Sequence, residues 1–97
     1  MDINKQWKLF WDKQYDDRCE LRANETALYM YLLELAQQDW IKDKDAIILY
    51  PSLVCLKFDI SETQLMDSMA RLINAKLINY SITDEPETMV YHIISAE

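Results

Sequence analysis

None of the 97 residues is glycine. Glycine alone enters left-handed backbone without steric cost, so helix ends and tight turns in this chain have to be made from other residues. The same absence excludes a Walker loop, a dinucleotide-binding turn and a nucleophile elbow of the glycine-flanked kind. Most nucleotide chemistry is excluded with them. A chain of 11.6 kDa has room for one hydrophobic core and buries roughly two-thirds of its unfolded surface. With 51% hydrophobic and 28% charged residues, the composition is that of a globule that folds unaided and not of a disordered tail.

Ten Lys and Arg oppose seventeen Asp and Glu, giving a formal net charge of -7 and a pI near 4.6. That balance argues against an autonomous, sequence-independent binder of phosphate backbone. Cys19 and Cys55 satisfy no metal spacing and read as reduced thiols, since small secreted domains usually carry more than one bridge. The first ten residues contain Asp2, Asn4, Lys5, Gln6 and Lys8 and have no continuous apolar run, so they do not read as a signal peptide. No apolar run approaches the roughly twenty residues a membrane span needs. The expectation is a soluble, cytoplasmic protein that does not engage a membrane.

Ile3, Trp7, Phe10, Trp11 and Tyr15 recur at helical spacing, which predicts an aromatic-striped helix over 3–15 with Asp2 as its N-cap. The stripe either packs on the domain's own core or docks a partner. A charged connector, 16–20, follows. Asn24 is expected to cap a second helix from Glu25 to about Gln38, and its interior, Ala27 to Leu33, is apolar on nearly every side, which is the pattern of a central helix. Lys42 to Asp45 reads as an exposed turn.

Ala46 to Tyr50 is a brief β-branched run, ended by Pro51, and residues 52–58 suit a two-turn helix with one buried side. Ser61 and Gln64 stand in the relation of a capping box, so a further helix starts there. Its inward stripe is Leu65, Met69, Leu72 and Ile73, and Glu62, Thr63, Asp67, Ser68 and Arg71 point away. It ends near Asn74 or Ala75. Residues 77–82 and 89–94 then read as strands of a hairpin whose tip carries Asp84, Glu85 and Glu87, with Tyr91 and Ile93 on one face.

Setting the first helix aside, the order is helix, strand, short helix, turn, capped helix, strand, loop, strand. That is the order of an α+β winged helix-turn-helix, a three-helix core with a β-hairpin wing, here preceded by an extra amphipathic helix. The expected division is 1–20 for the aromatic helix and connector and 21–94 for the winged-helix domain. Residues 21–94 also resemble winged-helix domains of phage and mobile-element replication proteins and, more distantly, of DnaD-type primosome proteins. The resemblance lies in Leu21-Arg22-Ala23-Asn24-Glu25-Thr26-Ala27-Leu28-Tyr29, in Ile60-Ser61-Glu62-Thr63-Gln64-Leu65, and in Ala70-Arg71-Leu72-Ile73 with Leu77-Ile78-Asn79-Tyr80. It implies a role in DNA replication or its regulation and a recognition helix beginning at Ser61.

Two features depart from that pattern. Lys76 stands where such domains commonly have glycine, and Asn74 is the expected substitute for the helix end. From Asp59 to Glu97, Arg71 and Lys76 face Asp59, Glu62, Asp67, Asp84, Glu85, Glu87 and Glu97, a local charge of -5 where the family tends to be basic. Glu62, Thr63, Gln64, Asp67, Ser68 and Arg71 form the candidate recognition-helix face. Thr63, Gln64, Ser68 and Arg71 carry groups able to read base edges, but phosphate-positioning contacts are scarce. Of the other cations, Lys5, Lys8, Lys13, Arg18 and Arg22 lie toward the amino terminus among Asp2, Asp12, Asp16, Asp17 and Glu20, and Lys42, Lys44 and Lys57 lie in the middle of the chain.

The expected function is therefore a non-enzymatic module that works mainly through protein contacts, self-association included, with weak or no DNA binding of its own. Trp7, Phe10, Trp11 and Tyr15 form its candidate protein-contact helix. The alternatives are a sequence-specific DNA-binding regulator or initiator, and an acidic inhibitor that imitates nucleic acid. His92 is the lone histidine and sits on an alternating strand, and the acidic pairs Asp16-Asp17 and Glu85 with Glu87 lie on charged loops, so neither supports catalysis. No cofactor, metal or small-molecule substrate is expected.

Overall fold

The computed structural model describes residues 2–16, 20–38, 41, 46–85 and 87–96. Trp40, the expected turn at 42–45, most of the connector including Arg18 and Cys19, and Pro86 lie outside these residues. The fold is α+β. Among the described residues there are four helices and three strands, in the order α1 (Ile3–Gln14), α2 (Ala23–Ala36), β1 (Ile47–Leu49), α3 (Pro51–Phe58), α4 (Glu62–Asn74), β2 (Ile78–Ile82) and β3 (Met89–Ile93). No helix among them is long and apolar enough to cross a membrane.

Local chemistry accounts for most of these boundaries. Asp2 caps α1 by accepting from the backbone N–H groups of Asn4 and Lys5, satisfying two donors that the first turn leaves open. Pro51 opens α3, where its missing N–H costs nothing. Ser61 and Gln64 close the capping box of α4: Gln64 N–H donates to Ser61 Oγ at 3.1 Å and Ser61 N–H donates to Gln64 Oε1 at 2.8 Å.

Two boundaries correct the sequence reading. Helix α2 begins at Ala23 with Arg22, and not Asn24, at its cap, because the Glu25 carboxylate reaches back to accept from Arg22 N–H at 3.1 Å. At the end of α4, Lys76 itself takes the left-handed conformation, φ 61°, while the expected Asn74 remains helical. Leu77 N–H donates to Leu72 O at 3.1 Å and Lys76 N–H to Ile73 O at 2.9 Å, the paired bonds of a Schellman ending. Leu72 and Leu77 are both fully buried, so the apolar contact that accompanies this ending is made. Asp59 and Glu87 are the other positive-φ residues among those described.

The sheet is antiparallel with order β1-β3-β2. Ile47 pairs with Tyr91 and Tyr91 with Tyr80, so the three share one face of the sheet, on which Ile47 and Tyr91 are buried while Tyr80, on the β2 edge, stays about half exposed. Helix α2 packs on α4 and β1, and α4 on α3 and β2. Between them Tyr29, Leu32 and Leu33 from α2 meet Leu65, Met69 and Leu72 from α4 and Tyr91 and Ile93 from β3 in one core. The prediction for α2 needs qualification, since Met30 is half exposed and the helix is not covered on every side. Helix α3 buries Val54 and leaves Leu53 and Leu56 in solvent.

Candidate functional site: the outer face of helix α4

Of the six residues expected on the outer face of α4, the structure leaves Glu62, Thr63, Gln64 and Asp67 exposed. Gln64 is engaged by the capping box, its Oε1 accepting from Ser61. Ser68 does not point away: it is 2% exposed, and its hydroxyl donates to Glu25 Oε2 at 2.9 Å. The reason is geometric. Ser68 lies three residues from Leu65 and four from Leu72, within the stripe that α4 turns toward α2, and its burial is tolerated because Glu25 supplies an acceptor.

Glu25 is the residue that sequence reasoning missed. It is 1% exposed, and its carboxylate accepts from Arg22 N–H and Ser68 Oγ, with Arg22 Nε at 3.7 Å and Arg71 Nε at 3.9 Å. A carboxylate removed from water needs such a set of donors and counter-charges. Its position at the third residue of a helix, an acceptor for the cap, was the only local sign.

Arg71 is likewise drawn in. Its side chain is mostly buried, Nη1 donates to Asp67 Oδ2, and Nε lies 3.7 Å from Glu20 Oε2 as well as near Glu25. Arg22 Nη2 reaches Asp67 Oδ2 at 3.5 Å. Two guanidinium groups thus meet three carboxylates, Glu20, Glu25 and Asp67, and the cluster keeps a net negative sign. Nothing in it resembles a cationic stripe beside Arg71. Of the amino-terminal lysines, Lys8 pairs with Asp12 at 3.3 Å within α1.

The hairpin tip adds more negative charge. Thr83 and Thr88 are hydrogen bonded through their hydroxyls, and Thr88 Oγ1 donates to Glu85 O at 2.9 Å, so the tip is knit by threonines while Asp84, Glu85 and Glu87 stay exposed.

The expected protein-contact helix is divided between core and surface. Phe10 is fully buried and stacks on Tyr29 with ring centroids 5.1 Å apart, and Trp7 meets both rings edge-on. Trp11 and Tyr15 remain at the surface, Tyr15 at 83% exposure. Gln6, not singled out in the sequence, is buried on the same stripe. Its Nε2 donates to Tyr29 Oη at 3.0 Å and Ile94 O at 3.1 Å, and its Oε1 accepts from Ala96 N–H at 2.6 Å. Its spacing from Ile3 and Phe10 was the signal that could have found it.

His92 is half-buried on β3, its Nε2 3.5 Å from Ser81 Oγ on the neighbouring strand. Cys55 is a half-buried free thiol whose pKa is pushed up by burial and then by Glu62. No group of three His, Cys, Asp or Glu side chains among the described residues is placed to hold a metal ion. No family model, curated protein or solved structure matches the chain.

Proposed function

We propose that this chain is a winged-helix module of the cytoplasm that acts mainly through protein contacts, without catalysis and with weak or no DNA binding of its own. The fold part of this reading is supported by the element order from α2 to β3 and by the β1-β3-β2 sheet, in which a hairpin follows directly on a capped helix. A setting in phage or mobile-element replication or its regulation follows from the sequence resemblance of residues 21–94.

One observation carries the functional part: Arg71 and Arg22, the cations nearest the outer face of α4, are engaged by Asp67, Glu25 and Glu20. To contact phosphate they would first have to leave these carboxylates, and the surrounding carboxylates would repel the incoming backbone. Base-reading side chains without positioning contacts give little affinity. Gel-shift titration with duplex DNA at low salt tests the reading. The expected outcome is no complex, or one no tighter than the roughly micromolar range of non-specific binding. A tight complex whose logarithmic affinity falls steeply with the logarithm of salt concentration overturns it in favour of duplex recognition.

A further inference from the structure

A groove of about 390 Å³ opens between the start of α3, the start of α4 and the base of the β2–β3 hairpin. Pro51, Leu65, Met66 and Met89 give it an apolar lining, and Glu62 and Glu87 bring carboxylates to it from two different elements. We propose that this groove receives a segment of a partner protein that offers an apolar side chain flanked by Lys or Arg. The inference rests on the protein-contact reading above and names the surface and the chemistry of the partner.

The apolar part is accessible. Met66 is exposed, and Leu53, one residue beyond the groove-lining Ser52 on α3, is 61% exposed. Methionine side chains adapt to differently shaped occupants at little cost, which suits a surface that must take a peptide side chain. Charge selects the occupant. Among the described residues neither Glu62 nor Glu87 has an ion-pair partner, so an apolar group entering alone would leave both carboxylates uncompensated beside it. A flanking Lys or Arg compensates them. A second copy of this chain would instead bring the same two carboxylates and a further net charge of -7, and a polyanion would be repelled.

The test is a titration of the full chain, carrying isotope-labelled methionine methyl groups, with three short synthetic peptides built from Leu and Lys, from Leu and Glu, and from Ser and Lys. The expected result is that the Leu–Lys peptide alone shifts the methyl resonances of Met66 and Met89. The double variant Glu62→Gln with Glu87→Gln should weaken that peptide about fivefold, the scale of two exposed ion pairs. Met66→Ser should weaken it as well, and far-UV circular dichroism should show both variants folded. Equal binding of the Ser–Lys or Leu–Glu peptide, shifts confined to α1 or the hairpin tip, concentration-dependent dimerisation through the groove, or no shift with any peptide overturns the proposal. Tight duplex binding in the gel-shift titration would remove the protein-contact reading itself, whereas weak duplex binding with the Leu–Lys peptide on another face removes the groove alone.

Discussion

Ser68 and Glu25, 43 positions apart in sequence, are joined by a 2.9 Å hydrogen bond in which the serine hydroxyl donates to the buried carboxylate. The same carboxylate accepts from the cap of its own helix. One side chain therefore starts α2 and fastens α4 to it. Of the two arginines that gather around it, Arg71 is mostly buried, while Arg22 stays exposed but is paired with Glu25 and Asp67.

Ser68→Ala should cost about 2 kcal/mol of stability, the scale of a hydrogen bond to a charged buried group. Glu25→Ala removes the helix cap as well and should cost at least as much. In urea unfolding, the double variant should show a coupling energy of at least about 0.5 kcal/mol, as expected for side chains in direct contact. Strict additivity would show that the bond contributes nothing of its own.

Helix α1 should separate into stabilising and surface positions. Phe10→Ala should lose about 3–5 kcal/mol, the range for an aromatic side chain removed from a core. Gln6→Ala strands the hydrogen-bonding groups of Tyr29, Ile94 and Ala96 and should lose about 2 kcal/mol. Trp11→Ala should lose less, about 1 kcal/mol, because the ring is about half exposed and gives up mainly its edge-on contact with Phe10, centroids 5.5 Å apart. Thermal denaturation of the three variants gives the ranking, and a large loss at Trp11 would contradict its placement.

Lys76→Gly should stabilise the protein. A residue with a Cβ in left-handed backbone carries a cost of about 1 kcal/mol that glycine does not, and φ at this position is 61°. The gain should be close to that figure in chemical denaturation, with Lys76→Ala giving none. A loss on introducing glycine would mean that the lysine side chain makes a contribution larger than its backbone cost.

Alkaline titration should reveal the buried tyrosines. Burial, with smaller contributions from Cys55 and Tyr80, pushes Tyr91 up to about 12, and burial also raises Tyr29. The unfolded chain ionises tyrosine near its ordinary value of about 10, so above that pH the folded state holds more protons than the unfolded state. The contribution to stability is fully present below about pH 10 and is lost as the pH rises through about 12. Phenolate absorbance should therefore show two tyrosines lagging the rest, with the lag abolished by Tyr91→Phe for one of them. Simultaneous ionisation of all six tyrosines in the folded protein would contradict the burial.

Much of the fold was legible residue by residue. Asp2, Pro51 and the Ser61–Gln64 pair act on backbone groups within three positions, so their effect is readable from spacing alone. The alternation of Met89 to Ile93 likewise placed Tyr91 and Ile93 on the buried face. The outer face of α4 was legible only in part. Ser68 looked outward because a serine carries no apolar signal, and its burial depends on a carboxylate contributed by another helix.

The chain by itself determined the order and type of its helices and strands, the helix starts at Asp2, Pro51 and Ser61, its acidic character, and the need for a residue other than glycine at each left-handed position, because these follow from short-range sterics, capping and summed charge. Tertiary structure alone decided that Lys76 would be one of those residues, that Gln6 would bond Tyr29 and Ala96, and that Arg71 would turn toward Glu25 and Asp67. It also left Leu53 and Leu56 uncovered on α3. Burial and ion pairing depend on which groups meet across 23, 43 or 90 positions of chain, and those meetings exist only after the helices have packed.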